Sequence, residues 1–136
     1  MSTNYETILN ALRTDFDTNI ATGLSLPTHY ENFPFTVPAA SIWAQWFVKF
    51  GEEDQVEFGT TKRIRTVGRM YVNLFTVPET GDAPSIPKVD AIADRYRATS
   101  ALAGVVFRTP AVSKGGIEAD WFKTSVECPF YLDRLV

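Results

Sequence analysis

The residues of this chain whose types could do chemistry are few: His29, Cys128, the carboxylates Glu52, Glu53, Asp54 and Glu57, and the cations Lys62, Arg63, Arg65 and Arg69. His29 is the sole histidine. As a general base it would need a nucleophile and an orienting carboxylate nearby, and the sequence supplies neither beside it. A surface or hydrogen-bonded loop histidine is the reading it supports. Cys128 is the sole cysteine, so no internal disulfide can form and a thiolate zinc site is not expected. On a strand pattern it reads as a small buried residue. The four carboxylates could bind a hard cation or share a proton. They lack the alternating ligand spacing of a calcium loop and read as a solvated hairpin end. GTTKR has one glycine and the wrong spacing for a phosphate loop.

The basic run is the polar feature with a functional expectation. Lys62, Arg63, Arg65 and Arg69 put four cations into eight residues. Arg63, Arg65 and Arg69 share parity, so on an extended strand they point the same way. A nucleic-acid surface would predict a basic domain with interleaved aromatics. The formal net charge is −3, and no aromatics interleave along the run. An acidic protein surface fits better. The acidic run Glu52–Glu57 suggests that opposite charges on adjacent copies meet around a ring.

Composition sets the frame for these groups. The chain has 136 residues, enough for one domain, which can bury roughly two thirds of its extended-chain surface. The hydrophobic fraction is 45% and the charged fraction 21%, the balance of a folded protein. MSTNYETILNAL lacks the basic leader and apolar core of a signal peptide. The apolar stretches are short of a membrane span. A soluble protein made in the cytoplasm is expected.

Hydrophobic spacing then assigns the elements. Tyr5, Ile8, Leu9, Leu12, Phe16 and Ile20 form one stripe, which predicts a helix from about Asn4 to Ile20. Thr3 and Glu6 make a capping box, and Gly23 suits a left-handed C-terminal cap. Pro27, Pro34 and Pro38 forbid a helix between Leu24 and Ala40. Tyr30, Phe33 and Phe35 there either pin the loop to the core or await a partner. Ile42–Phe50 alternates as a strand with bulky residues on both faces, which implies cover on both, one side by helices and the other by a neighbouring subunit. Gln55–Phe58 and Val67–Val77 are further strands around a charged hairpin. A second helix is expected from about Pro87 to Leu102, with Ser85 near its cap and Gly104 beyond its end. Val105–Arg108 and Trp121–Tyr131 are the last strands, and Gly115-Gly116 marks a flexible turn between them. The order is α-β-β-β-α-β-β. It predicts one domain over residues 1–136, an α/β (α+β) sandwich. About four or five mostly antiparallel strands would carry two helices on one face.

This order resembles the tail terminator (tail completion) proteins of long-tailed bacteriophages, the family similar to the lambda-type terminator. The resemblance rests on the amphipathic opening helix, the aromatic-proline loop YENFPFTVP and the Trp-bearing strand SIWAQWFVKF. The hairpin QVEFGTTKRIRTVG, the strand VNLFTVPETG and the second helix VDAIADRYRATSAL complete it. It implies a structural virion protein without catalysis or cofactor. Such a protein forms a hexameric ring on the head-proximal end of the tail tube, stops tube polymerisation and presents a docking surface to the head-tail connector. Genomic DNA would pass through its lumen without sequence-specific contact. Its partners would be copies of itself, the tube protein and the connector. Lys62, Arg63, Arg65 and Arg69, with Tyr30, Phe33 and Phe35, are the expected interface residues. The alternatives are a tube subunit, a neck or head-tail joining protein, or a small-molecule-binding α/β domain seeded on His29.

Overall fold

Ile8, Leu12, Phe16 and Ile20 recur at a strict spacing of four. Four residues of an α-helix turn by about 400°, so such a stripe drifts by roughly 40° per step. The chain resolves the drift by changing its winding. In the computed structural model, α1 spans Tyr5–Phe16 and runs straight into a π-helical turn over Asp17–Ala21. The wider turn keeps Ile20 facing the core, where it is 3% exposed. The structure describes residues 5–38, 41–55, 63–79, 81, 84–98, 104–118 and 120–135; Thr3 and Lys62 lie outside them.

The expected left-handed cap at Gly23 is corrected. Ser25 takes the positive φ of 51°. Gly23 serves close approach instead, since a Cβ there would stand 2.8 Å from the Asn19 carbonyl oxygen. The proline-rich segment also holds a strand the sequence did not announce. β1 (Thr28–Tyr30) pairs in parallel with β2 (Trp43–Gln55). β2 continues through a bulge between Phe50 and Glu53, so Glu52, Glu53 and Asp54 lie in the strand near the end of the β2–β3 hairpin, with Glu52 and Glu53 exposed as expected. β3 (Arg63–Thr76) begins inside the basic run. α2 spans Ile86–Ala98. It starts with the Val89 amide donating to the Ser85 carbonyl at 2.9 Å.

The final third carries β4 (Val106–Phe107), β5 (Ala111–Glu118) and β6 (Trp121–Leu135). The expected flexible turn at Gly115-Gly116 is therefore a strand with an irregularity between Lys114 and Gly116. There Gly116 takes φ 75°. The sheet has six strands in the order β1-β2-β3-β6-β4, and β5 also pairs with β6. β6 meets β4 at Phe130 and Tyr131 and β5 from Glu127 to Trp121. Pro129 falls between these two ladders, where its missing N–H interrupts nothing.

The fold is an α+β sandwich with both helices on one face of the sheet. The register sets Ala44, Leu74 and Thr124 in one row, then Trp46, Val72 and Val126, then Val48, Met70 and Cys128. All nine are buried, and the eight besides Thr124 pack in one core with Ile8, Leu12 and Phe16 of α1 and Val89, Ile92 and Tyr96 of α2. Burying each large apolar side chain contributes about 1.5–3 kcal/mol. Among the described residues, no helix is long and apolar enough to cross a membrane.

Candidate functional site: the uncovered face of the sheet

Strand alternation sends the other half of the side chains to the far face, where among the described residues no helix packs. Trp43 and Phe75 are paired in register at one end. Their rings stack at 4.4 Å, with Trp121 edge-on to Trp43 at 5.9 Å and Phe35 tilted against it at 5.5 Å. The next row is a polar ladder. The Ser125 hydroxyl donates to Asn73 Oδ1 at 2.7 Å, and Asn73 Nδ2 donates to Gln45 Oε1 at 3.1 Å. Beyond it Phe47 and Tyr71 stack at 4.9 Å and 15°.

Cations follow. Lys49, Arg69 and Pro129 share a row, and the Arg108 amide extends it by donating to the Pro129 carbonyl at 2.8 Å. Lys49 Nζ lies 5.8 Å from the centroids of both Phe47 and Tyr71. Arg69 pairs with Glu127 at 2.7 Å. Arg65 grips Asp133 with two bonds, Nε to Oδ1 at 2.8 Å and Nη2 to Oδ2 at 2.9 Å. The hydrogen bond from Arg65 holds the Asp133 carboxyl below its usual range. Tyr131 lies beneath two guanidiniums, Arg65 at 4.7 Å and Arg108 at 5.1 Å. Lys49 and Arg108 have no carboxylate partner among the described residues. They flank a groove of about 440 Å³ floored by Gly51, Gly68 and Phe130.

The expected interface residues divide. Arg63, Arg65 and Arg69 lie on β3 and share parity as expected, and Arg65 and Arg69 find carboxylates within their own chain. The register also sets Asp54 opposite Arg65 inside one hairpin, so the acidic and basic runs are neighbours in a single copy. Tyr30 pins its loop to the core: its hydroxyl donates to Asp17 Oδ1 at 2.8 Å and its ring meets Phe16 and Trp46. Phe35 joins the aromatic end of the open face. Phe33 is 49% exposed under the Arg13 guanidinium. Lys49, Arg108, Tyr71 and Tyr131 carry the face and went unmarked by the sequence, because they come from β2, β3, β6 and the residue after β4, on three different rows that only the register brings side by side.

Of the groups tested for catalysis, His29 lies at the β1 edge of this face, in register with Gln45 and beside Phe47 and Lys49, and Cys128 is closed to it. His29 donates from Nε2 to the Phe33 carbonyl at 3.1 Å and stacks on Phe35 at 5.2 Å. Cys128 is fully buried, and burial pushes its thiol up to about 12. Among the described residues, no group of three or more His, Cys, Asp and Glu could hold a metal ion.

No family model matches the chain, and no curated protein does. A solved structure of a protein without a functional name is similar to it. The match covers 90% of this chain and 94% of that one, with a TM-score of 0.61 at 14% identity. At that identity the likeness shows the fold alone.

Proposed function

We propose that this chain is a structural ring subunit, the tail terminator of a long-tailed phage. The observation that carries the reading is that the sheet ends in two different open edges. From Phe47 to Phe50 the outer side of β2 has no strand beside it among the described residues, and the outer side of β5 has none either. An open edge is a row of backbone donors and acceptors that another strand can complete. These two edges lie at opposite ends of the sheet and differ in sequence, so a contact joining one to the other between copies is heterologous. Such a contact closes into a ring or runs on as a filament. β5 also exposes Val112 at 47% and Ile117 at 67%, the largest exposure among the bulky apolar residues described.

The resemblance in element order gives the ring its place. Six copies would cap the head-proximal end of the tail tube in the virion, stop its growth and receive the head-tail connector, with DNA passing through the lumen. The role needs shape and contact surfaces but no cofactor.

The deciding experiment is native mass and electron microscopy of the purified chain, alone and with tube protein. A closed ring, or a monomer that becomes a ring only on tube ends, is expected. Val112→Lys with Ile117→Lys should leave a folded monomer that no longer assembles. Open-ended stacks would make the chain a tube subunit, and a monomer indifferent to tubes would overturn the reading.

A further inference from the structure

Aromatic rings and free cations share the open face in an arrangement that edge-to-edge contact between copies does not use. Phe47 and Tyr71 form one stacked pair, and the Tyr131 ring lies under Arg65 and Arg108. Between them runs the row of Lys49, Arg69 and Arg108, with the groove of about 440 Å³ in its middle. Arg69 is neutralised by Glu127. Lys49 and Arg108 are not neutralised among the described residues, and both lie against ring faces. The negative net charge of the chain does not oppose this locally, since Glu6, Asp15, Asp17, Asp90 and Asp94 lie on the helical layer.

We propose that this face binds single-stranded nucleic acid, with a phosphate held between Lys49 and Arg108 and a flanking base stacked against the Phe47–Tyr71 pair. The occupant follows from the two features together. Cations alone would suit any acidic surface. A half-buried stacked ring pair beside a cationic groove suits a polyanion whose repeating units carry flat rings of their own. Single strands expose those flat faces, whereas a duplex hides them in its stack. The sequence did not forecast this, because no aromatic interleaves along the basic run itself; Phe47 arrives from β2 and meets Tyr71, just past the run on β3, through the register. The proposal does not rest on ring closure, because one copy already presents the whole face.

The test is fluorescence anisotropy of a labelled oligothymidine and of a duplex of equal length, at low and moderate salt. The single strand should bind more tightly. Neutralising one phosphate gives a log–log salt slope of about −0.7, or roughly 2.6-fold weaker binding over a fourfold rise in salt. Lys49→Ser with Arg108→Ser should abolish most of that slope; both are surface changes that leave the fold intact. Phe47→Leu, with its thermal midpoint checked, should weaken binding by about 5-fold or more without altering the slope. Three results would overturn the proposal: no binding of the single strand at low salt, duplex binding as tight and indifferent to Phe47→Leu, or polyglutamate competing as well as oligothymidine. The last would assign the face to an acidic protein.

Discussion

Arg95 of α2 donates to Asp15 of α1 at 2.5 Å, a pairing of residues eighty apart in sequence that ties the two helices together above the sheet. The two ends of this bond are unequal. The Asp15 side chain is 6% exposed, and that of Arg95 is 39% exposed. Asn19 Nδ2 adds a second donor to Asp15 Oδ1 at 3.1 Å. The bond to Asp15 raises the Arg95 pKa further above its already high value, so the guanidinium is charged at every pH the fold survives.

That inequality predicts unequal mutants. Arg95→Ala strands a buried carboxylate and should cost about 3–5 kcal/mol. Asp15→Ala leaves a guanidinium that reaches water, so its cost should be nearer about 1.5–3 kcal/mol, the range of a bond to a charged group. Urea unfolding of both and of the double variant measures the coupling. Equal costs would mean that the carboxylate gains little from the pair.

Gly68 is predicted to resist enlargement. It stands in register between Phe50 and Phe130, whose rings meet edge-on at 6.2 Å over the space its missing side chain leaves. A Cβ at Gly68 would come within 2.6 Å of Phe130 Cζ and 3.0 Å of the Lys49 carbonyl oxygen. Gly68→Ala should therefore cost about 1–3 kcal/mol through overpacking, against the usual gain in strand propensity. Adding Phe130→Leu should recover part of that loss, because a shorter side chain withdraws from the added methyl. If Gly68→Ala is neutral on its own, the two rings are free to part.

The loop aromatics should also separate on mutation. Tyr30→Phe deletes the bond to Asp17 and should cost about 0.5–1.5 kcal/mol. Phe33→Ser, at a side chain half in solvent, should stay within about 0.5 kcal/mol of the parent. Thermal midpoints of the two variants decide this, and a larger loss for Phe33→Ser would place that ring in the core.

The pattern of these residues explains what the sequence could and could not disclose. The stripe of Ile8, Leu12, Phe16 and Ile20 and the alternation of Ile42–Phe50 are local, so both helices, the Trp-bearing strand and the α+β class were legible. β1 was not, because its three residues are strand only through parallel pairing with β2, and proline spacing argues for loop. β5 was hidden by Gly115-Gly116, a turn signal that pairing with β6 overrides. The basic run was visible as charge, but its carboxylate partners Glu127 and Asp133 lie more than fifty residues away and become neighbours only through the register of β3 with β6. Arg108 and Tyr131 gave no local signal at all.

The last prediction concerns alkaline stability, where the direction follows from three buried or half-buried groups. Burial pushes the Cys128 thiol up to about 12 from an ordinary 9.0, with Glu127 adding to the shift. Burial also raises Tyr96 above its ordinary 10.0, helped by Asp15, and raises Tyr30, helped by its bond to Asp17. In the unfolded chain the thiol would lose its proton near pH 9 while the folded chain keeps it, so the unfolded state binds fewer protons and stability falls as pH rises. Below pH 9 this contribution is fully present. Above it the thiol alone lowers stability by up to about 1.4 kcal/mol per pH unit. The two tyrosines join from about pH 10, with the partly exposed Tyr30 contributing least. Cys128→Ala removes the first stage but leaves a small cavity, so its curve should start lower at pH 7 and run flat until the tyrosines begin to titrate. Urea midpoints from pH 7 to 10.5 compare the two chains. Curves that stay parallel between pH 8.5 and 10 would show that the thiol ionises as readily folded as unfolded, which a fully enclosed Cys128 forbids.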